Sequence, residues 1–139
     1  MPAVALVLCL TLVAGWLRFA SIDFGLPDNF RPDEEYIVEK AIGFGPNWDP
    51  YFATYPAGLM YVNAFVFRAY GVAHGNWSDF RAAFADKTRA YLVSREITAV
   101  FGTATVVAIY AAAAPAFGSV AALSTAAIVG FSTLNVSES

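Results

Sequence analysis

The sequence has little of the chemistry on which soluble enzymes and nucleic-acid-binding proteins depend. It contains one cysteine, Cys9, and one histidine in 139 residues, and only 14% of its residues are charged. A single cysteine allows no intrachain disulfide, and no Cys/His spacing suits a metal centre. The net charge of -3 argues against nucleic acid as a partner, because binding to phosphates needs a basic face. The sequence also has no glycine-rich phosphate loop and no serine nucleophile elbow.

What the chain has instead is apolar material, 58% of its residues. That share is typical of an integral membrane protein, and the length allows one domain at most. We predict an all-α membrane protein with about three transmembrane helices, at residues 3–20, 89–114 and 119–136. The first predicted span is about 27 Å long at about 1.5 Å per residue, which is enough to cross the hydrocarbon core of a bilayer. Pro115 and Gly118 indicate a tight turn between the last two.

The charged and polar residues are concentrated in a long loop at 21–88. Within it, residues 56–73 predict a juxtamembrane helix in the outer leaflet, with a fourth span as the less favoured alternative. Arg18, near the end of the first span, is expected to extend its side chain to the headgroups. Charge alone leaves the orientation open, because the positive-inside rule weakens for loops longer than about 60 residues.

The acids Asp33, Glu34 and Glu35 follow Pro32 a short distance outside the first span. Proline suits the first turn of a helix, where its missing N–H costs nothing. One interpretation is that the acids only complement the helix dipole. The other is a proton-accepting site at the edge of the bilayer. Three acids beside Tyr36 are more than a helix start requires.

Residues 47–56 contain four aromatic side chains. A headgroup-level belt is the favoured interpretation, and a surface on which a sugar ring stacks is the alternative. In the second interpretation Tyr55 is a candidate substrate contact, as is Tyr36 beside the acids.

The pair Arg95-Glu96 opens the second predicted span, where a charge is costly unless it is paired or faces a polar cavity. An internal salt bridge and a side chain extended to the interface are structural explanations. A functional explanation is that Arg95 binds a lipid-linked phosphate, because a guanidinium matches phosphate oxygens in a bidentate manner.

Taken in chain order, these features resemble a known family. They are the first span ending in an arginine, Gly25-Leu26-Pro27, the motif at 31–36, Tyr55-Pro56-Ala57-Gly58-Leu59, and Arg95 opening a span. The pattern is similar to the N-terminal part of the polyprenyl-phosphate-sugar-dependent glycosyltransferases of the GT-C fold. That group includes the protein O-mannosyltransferases and the aminoarabinose transferases of lipid A.

The resemblance implies a catalytic aspartate at Asp33 with Glu34 as its neighbour, which orients it or helps to bind a divalent metal. It implies that Arg95 contacts the lipid phosphate of the sugar donor. The acceptor would be a hydroxyl group of a protein, lipid or glycan. The long loop would lie outside a multi-pass plasma membrane, bacterial or archaeal.

Members of the family have many more spans and a further acidic motif after the third, which is about where this sequence stops. We therefore expect the N-terminal part of a GT-C bundle that is incomplete as an enzyme by itself. Two other functions remain open. One is a small accessory or assembly protein of the membrane, and the other is a transporter fragment with Arg95-Glu96 as its coupling pair.

Overall fold

The computed structural model describes residues 2–27, 32–44, 48–49, 57–76 and 79–132. Every regular element in these ranges is helical, which confirms the predicted all-α class for them. The elements are α1 Pro2–Phe19, α2 Pro32–Gly43, α3 Gly58–Ala73, a short 3-10 helix Phe80–Phe84 and α4 Lys87–Phe131. The chain divides into two compact units. We call Met1–Ile22 with Arg95–Ser139 the apolar unit, and Asp23–Ser94 the aromatic unit.

Among the described helices, α4 is the one that is both long and apolar enough to cross a membrane, judged by length and composition. Only 11% of its most apolar stretch is buried within the protein. The core helix of a soluble domain would be mostly buried, so the exposed apolar stretch of α4 is compatible with a transmembrane helix. α1 is a shorter apolar helix that also exposes large side chains, including Leu12 and Trp16.

α4 reverses direction at Gly118, where φ is 80° and ψ is 162°. Val106 and Gly130 lie twelve residues before and after this glycine, and in a straight helix they would be about 36 Å apart. Instead, a Cβ placed on Gly130 would lie 3.4 Å from a methyl carbon of Val106. α4 is therefore a helical hairpin with a first arm at 87–117 and a second arm at 119–131.

α1 packs against both arms of this hairpin. Ala14 of α1 is fully buried together with Val106 of the first arm and Ala126 of the second, and Leu10 and Tyr110 pack around them. The three buried residues are small or β-branched, which lets the helix backbones approach closely. The turn predicted from Pro115 and Gly118 falls at the reversal, and Gly118 supplies the non-helical backbone while Pro115 stays inside the helix.

Replacing Gly118 by alanine is expected to destabilise the hairpin by about 1–3 kcal/mol. An L-amino acid side chain rarely adopts its backbone conformation, and a residue forced into such a region costs that much. Gly58→Ala is the control, because Gly58 has no atom within 4 Å of an added Cβ and no positive φ. Unfolding in detergent micelles measures both, and equal stability of the two variants would contradict the reversal at Gly118.

Arg18 does not extend to the headgroups, which corrects the expectation from the sequence. Its side chain is 3% exposed. Its Nη1 donates to the carbonyl oxygens of Ala14 at 2.9 Å and Gly130 at 3.2 Å. Gly130 lies in the last turn of α4, where carbonyl groups lack intrahelical donors. The guanidinium therefore caps the second arm of the hairpin.

In the aromatic unit, α2 packs against α3, and α3 packs against the 3-10 helix. α2 begins at Pro32, as the sequence predicts, with three acids in its first turn. Apolar residues recur at helical spacing on the facing sides of α2 and α3, which produces the core. The buried members on these two helices are Val38, Ala41, Met60, Ala64 and Phe67, and they are joined by Phe44, directly after α2, and Phe84 of the 3-10 helix.

The 3-10 helix approaches α3 most closely at Gly71. A Cβ placed on Gly71 would lie 2.5 Å from the Cβ of Phe80 and 2.7 Å from its Cα. Asp79 caps the 3-10 helix, since its side chain accepts from the backbone N–H of Arg81 at 3.1 Å. A residue larger than glycine at position 71 would therefore force the two elements apart.

Candidate functional site

The acidic first turn of α2 brings three of the predicted site residues together. Asp33 and Tyr36 are exposed and stand three positions apart, so they are neighbours on one face of the helix. Glu34 is half-buried and precedes the buried Val38 by four positions, which turns it toward the packed side. An exposed carboxylate beside a phenol can accept a proton from a ligand hydroxyl and offer an aromatic contact.

The other two predicted site residues are not on this turn. Tyr55 lies outside the described residues. Arg95 belongs to the apolar unit, where it is 4% exposed. Its Nη1 donates to the carbonyl oxygen of Ile22 at 3.0 Å, in the turn that follows α1. This contact ties the loop after α1 to α4 and is a structural role for Arg95.

Phosphate binding by Arg95 stays a prediction. A guanidinium carries five N–H donors in a fixed planar arrangement. The bond to Ile22 fixes the position of that plane, and a hydrogen bond from a buried charged group contributes about 1.5–3 kcal/mol.

The expectation that Glu34 helps to bind a divalent metal stays a prediction. Among the described residues, no three His, Cys, Asp or Glu side chains come together in a way that could hold a metal ion. Mg²⁺ usually keeps several waters and can be held by one or two carboxylates together with phosphate oxygens of a substrate. No step of the mechanism proposed below depends on a metal.

Two arginines that the sequence did not single out hold the C-terminal end of α2. Arg68 Nη2 donates to the carbonyl oxygen of Phe44 at 2.9 Å. Arg81 Nε donates to that of Ile42 at 3.2 Å. Carbonyl groups at a helix C-terminus lack intrahelical donors, and the dipole there favours positive charge. The first turn of α2 therefore carries acids, and the carbonyl groups at its C-terminal end are bound by arginines from other elements.

The same two arginines alternate with aromatic rings in a continuous stack. The Arg68 guanidinium lies 4.3 Å from the ring centre of Trp48 and 4.9 Å from that of Phe80. Arg81 lies 5.6 Å from the same Phe80 ring. We call these four side chains the cation–aromatic stack. Burial, and after it the positive charge of Arg81, lower the pKa of Arg68.

A surface ion pair connects the middle of α2 to the start of α4. Lys87 Nζ lies 2.6 Å from Glu39 Oε1, and this hydrogen bond raises the pKa of Lys87. Both side chains are exposed, so the pair contributes little to stability. The geometry of α2 therefore depends mainly on its buried face and on the two arginines.

A comparison of the chain with protein-family models, curated proteins and solved structures finds no match. The case for a function therefore depends on the residues themselves and on their arrangement.

Proposed function

We propose that this chain is the N-terminal part of a multi-span membrane glycosyltransferase of the GT-C type. The enzyme would move a sugar from a polyprenyl phosphate to a hydroxyl acceptor on the extracytoplasmic side. The observation that carries the proposal is the exposed Asp33 carboxylate beside Tyr36. Asp33 belongs to the aromatic unit, which in chain order lies between the two segments of the apolar unit.

The membrane part of the proposal is supported by the exposed surface of the apolar unit. α4 exposes Phe117, Val120 and Ile128, and α1 exposes Leu12 and Trp16. Large apolar side chains in that number are unfavourable in water and suit a lipid environment. In the proposed topology α1 and the first arm of α4 cross the bilayer, the second arm is the start of the predicted span at 119–136, and α3 lies against the outer leaflet.

The chemistry requires a base, because a hydroxyl group is a poor nucleophile near neutral pH. A carboxylate oxygen of Asp33 would take the acceptor's proton as the acceptor oxygen bonds to the anomeric carbon. The bond from that carbon to the phosphate oxygen breaks, and its electron pair leaves with the polyprenyl phosphate. The anomeric carbon inverts. Glu34 would orient Asp33 or the acceptor, and Tyr36 and Tyr55 would contact the sugar.

Arg95 would stabilise the negative charge that grows on the leaving phosphate. The transition state has oxocarbenium character, by analogy with glycoside hydrolysis, so a nearby carboxylate also favours it electrostatically.

The test is a transfer assay in membrane vesicles that contain the intact protein. Polyprenyl phosphates that carry labelled mannose, glucose or aminoarabinose are supplied as donors, and loss of label from the lipid phase is measured. Transfer that depends on the protein is the expected result. A correctly inserted protein that transfers none of these sugars would contradict the proposal.

A second candidate, a membrane accessory protein without catalytic activity, is favoured by one observation. Arg18 and Arg95 donate hydrogen bonds to backbone carbonyl groups within the apolar unit, which is a structural use of buried charge. This function predicts that the chain copurifies with a partner in a fixed ratio and that Asp33 tolerates substitution.

A further inference from the structure

The cation–aromatic stack has a feature that holding α2 does not explain. Two arginines lie on one Phe80 ring, within about 10.5 Å of each other by their distances to its centre. Like charges this close repel each other, and an anion between or beside them would relieve the repulsion. Each arginine reaches a different carbonyl group, so capping α2 occupies both, but it does not require both guanidinium groups to share the Phe80 ring.

Arg81 is the exposed positive charge at one end of the stack. Its Nε is used by the carbonyl oxygen of Ile42, which fixes the guanidinium plane against Phe80. Its two terminal amino groups have no acceptor among the described residues and face solvent. Nearby Asp79 is engaged with the backbone N–H of Arg81 as the cap of the 3-10 helix. A planar guanidinium held in this way can bind two oxygens of a phosphate at once.

Two exposed aromatic side chains lie on the same face of α3 as Arg68. Tyr61 and Phe65 precede Arg68 by seven and three positions on α3, so the three share one helix face. Phe65 is 66% exposed and Tyr61 is 41% exposed. Tyr61 also packs on Phe44, which contacts Trp48 at the other end of the stack. Aromatic and apolar side chains beside cations are typical of a surface at the membrane–water interface.

We propose that the cation–aromatic stack binds the phosphate of an anionic phospholipid headgroup, with Arg81 as its main ligand and Arg68 as the second positive charge. The exposed Tyr61 and Phe65 would meet the upper part of the lipid acyl chains. This inference rests on the membrane placement proposed above, but not on sugar-transfer chemistry. The site would anchor the aromatic unit at the headgroup level and so hold the acidic turn of α2 near the bilayer surface.

The proposal commits to a lipid rather than a free anion for a physical reason. A free phosphate in water would gain only the charge interaction, which salt screens at an exposed site. A lipid headgroup arrives together with apolar chains that cover Phe65 and Tyr61. A basic residue near an anionic membrane surface strengthens binding roughly fivefold.

The test uses the full chain purified in a neutral detergent and titrated with phosphatidylglycerol or phosphatidylcholine, with bound lipids counted by native mass spectrometry. We expect preferential binding of phosphatidylglycerol. Arg81→Gln should weaken that binding roughly fivefold, whereas Arg81→Lys should retain most of it. The matched control is Arg89→Gln. Arg89 is also exposed in the aromatic unit, its Nε is also bonded, to the hydroxyl of Tyr70, and it lies 5.4 Å from the centre of that ring, but no second arginine among the described residues shares the ring.

Three results would overturn the proposal. Arg89→Gln could weaken binding as much as Arg81→Gln, which would indicate diffuse charge attraction alone. Inorganic phosphate at millimolar concentration could displace the lipid from the wild-type protein, which would indicate a free-anion site. The wild-type protein could also bind both lipids equally. The last two outcomes do not depend on whether the Arg81→Gln variant folds.

Discussion

Replacing Asp33 by asparagine is expected to lower the rate of sugar transfer by about 10²- to 10⁴-fold. The amide has the shape of the carboxylate but cannot take a proton from the acceptor hydroxyl. Asp33 is exposed at the first turn of α2, and asparagine has nearly the same shape, so the packing of the helix is retained. Membrane insertion and helix content should therefore remain unchanged. The measurement is the transfer assay described above, with helix content followed by circular dichroism.

The control for this variant is Glu35→Gln, which removes one negative charge from the same turn. Glu35 is exposed like Asp33, but it is not one of the predicted site residues. It should transfer sugar at close to the wild-type rate. If both variants lose activity equally, the turn acts only through its total charge. If Asp33→Asn transfers normally, Asp33 is not the base.

Replacing Gly71 by alanine is expected to destabilise the protein by about 1–3 kcal/mol, the usual cost of overpacking. In an exposed helix interior the same change would stabilise by about 0.5–1 kcal/mol, because alanine restricts the unfolded chain. Here the new methyl group would lie 2.5 Å from the Cβ of Phe80 and 2.7 Å from its Cα. A backbone atom cannot rotate away as the end of a long side chain can, so α3 and the 3-10 helix must separate.

Gly43→Ala is the matched control in the same unit. Gly43 is the last residue of α2, and an added Cβ there would have no atom within 4 Å. We expect it to stabilise the protein slightly, by about 0.4–1 kcal/mol. Unfolding of the full chain in detergent gives both values. A Gly71→Ala protein as stable as Gly43→Ala would show that the close contact with Phe80 is not present.

Features encoded by local sequence could be predicted. Pro32 begins α2, residues 58–73 form a helix inside the segment predicted for it, and the chain reverses at Gly118. In each case the signal lies in the residue itself or in apolar residues a few positions away. The acidic turn could be predicted for the same reason, because its three acids are consecutive in the sequence.

The arginine contacts could not be predicted, because their acceptors are distant backbone groups. Arg68 and Arg81 reach carbonyl groups 24 and 39 positions away, and Arg95 and Arg18 reach carbonyl groups 73 and 112 positions away. A carbonyl group is present in every residue, so it leaves no pattern in the sequence. The role of Gly71 was hidden for a related reason, since it depends on the position of Phe80 in a different element.

Cysteine labelling at position 33 tests directly whether the acidic turn lies on the extracytoplasmic side of the membrane. The chain has a single cysteine, Cys9, so a Cys9→Ala background allows one label at a chosen site. In intact cells, Asp33→Cys should react with a membrane-impermeant maleimide. Ser119→Cys, beside the reversal of α4, should react only after the membrane is permeabilised. Labelling of position 33 only after permeabilisation would contradict an acceptor-activating carboxylate on the extracytoplasmic side.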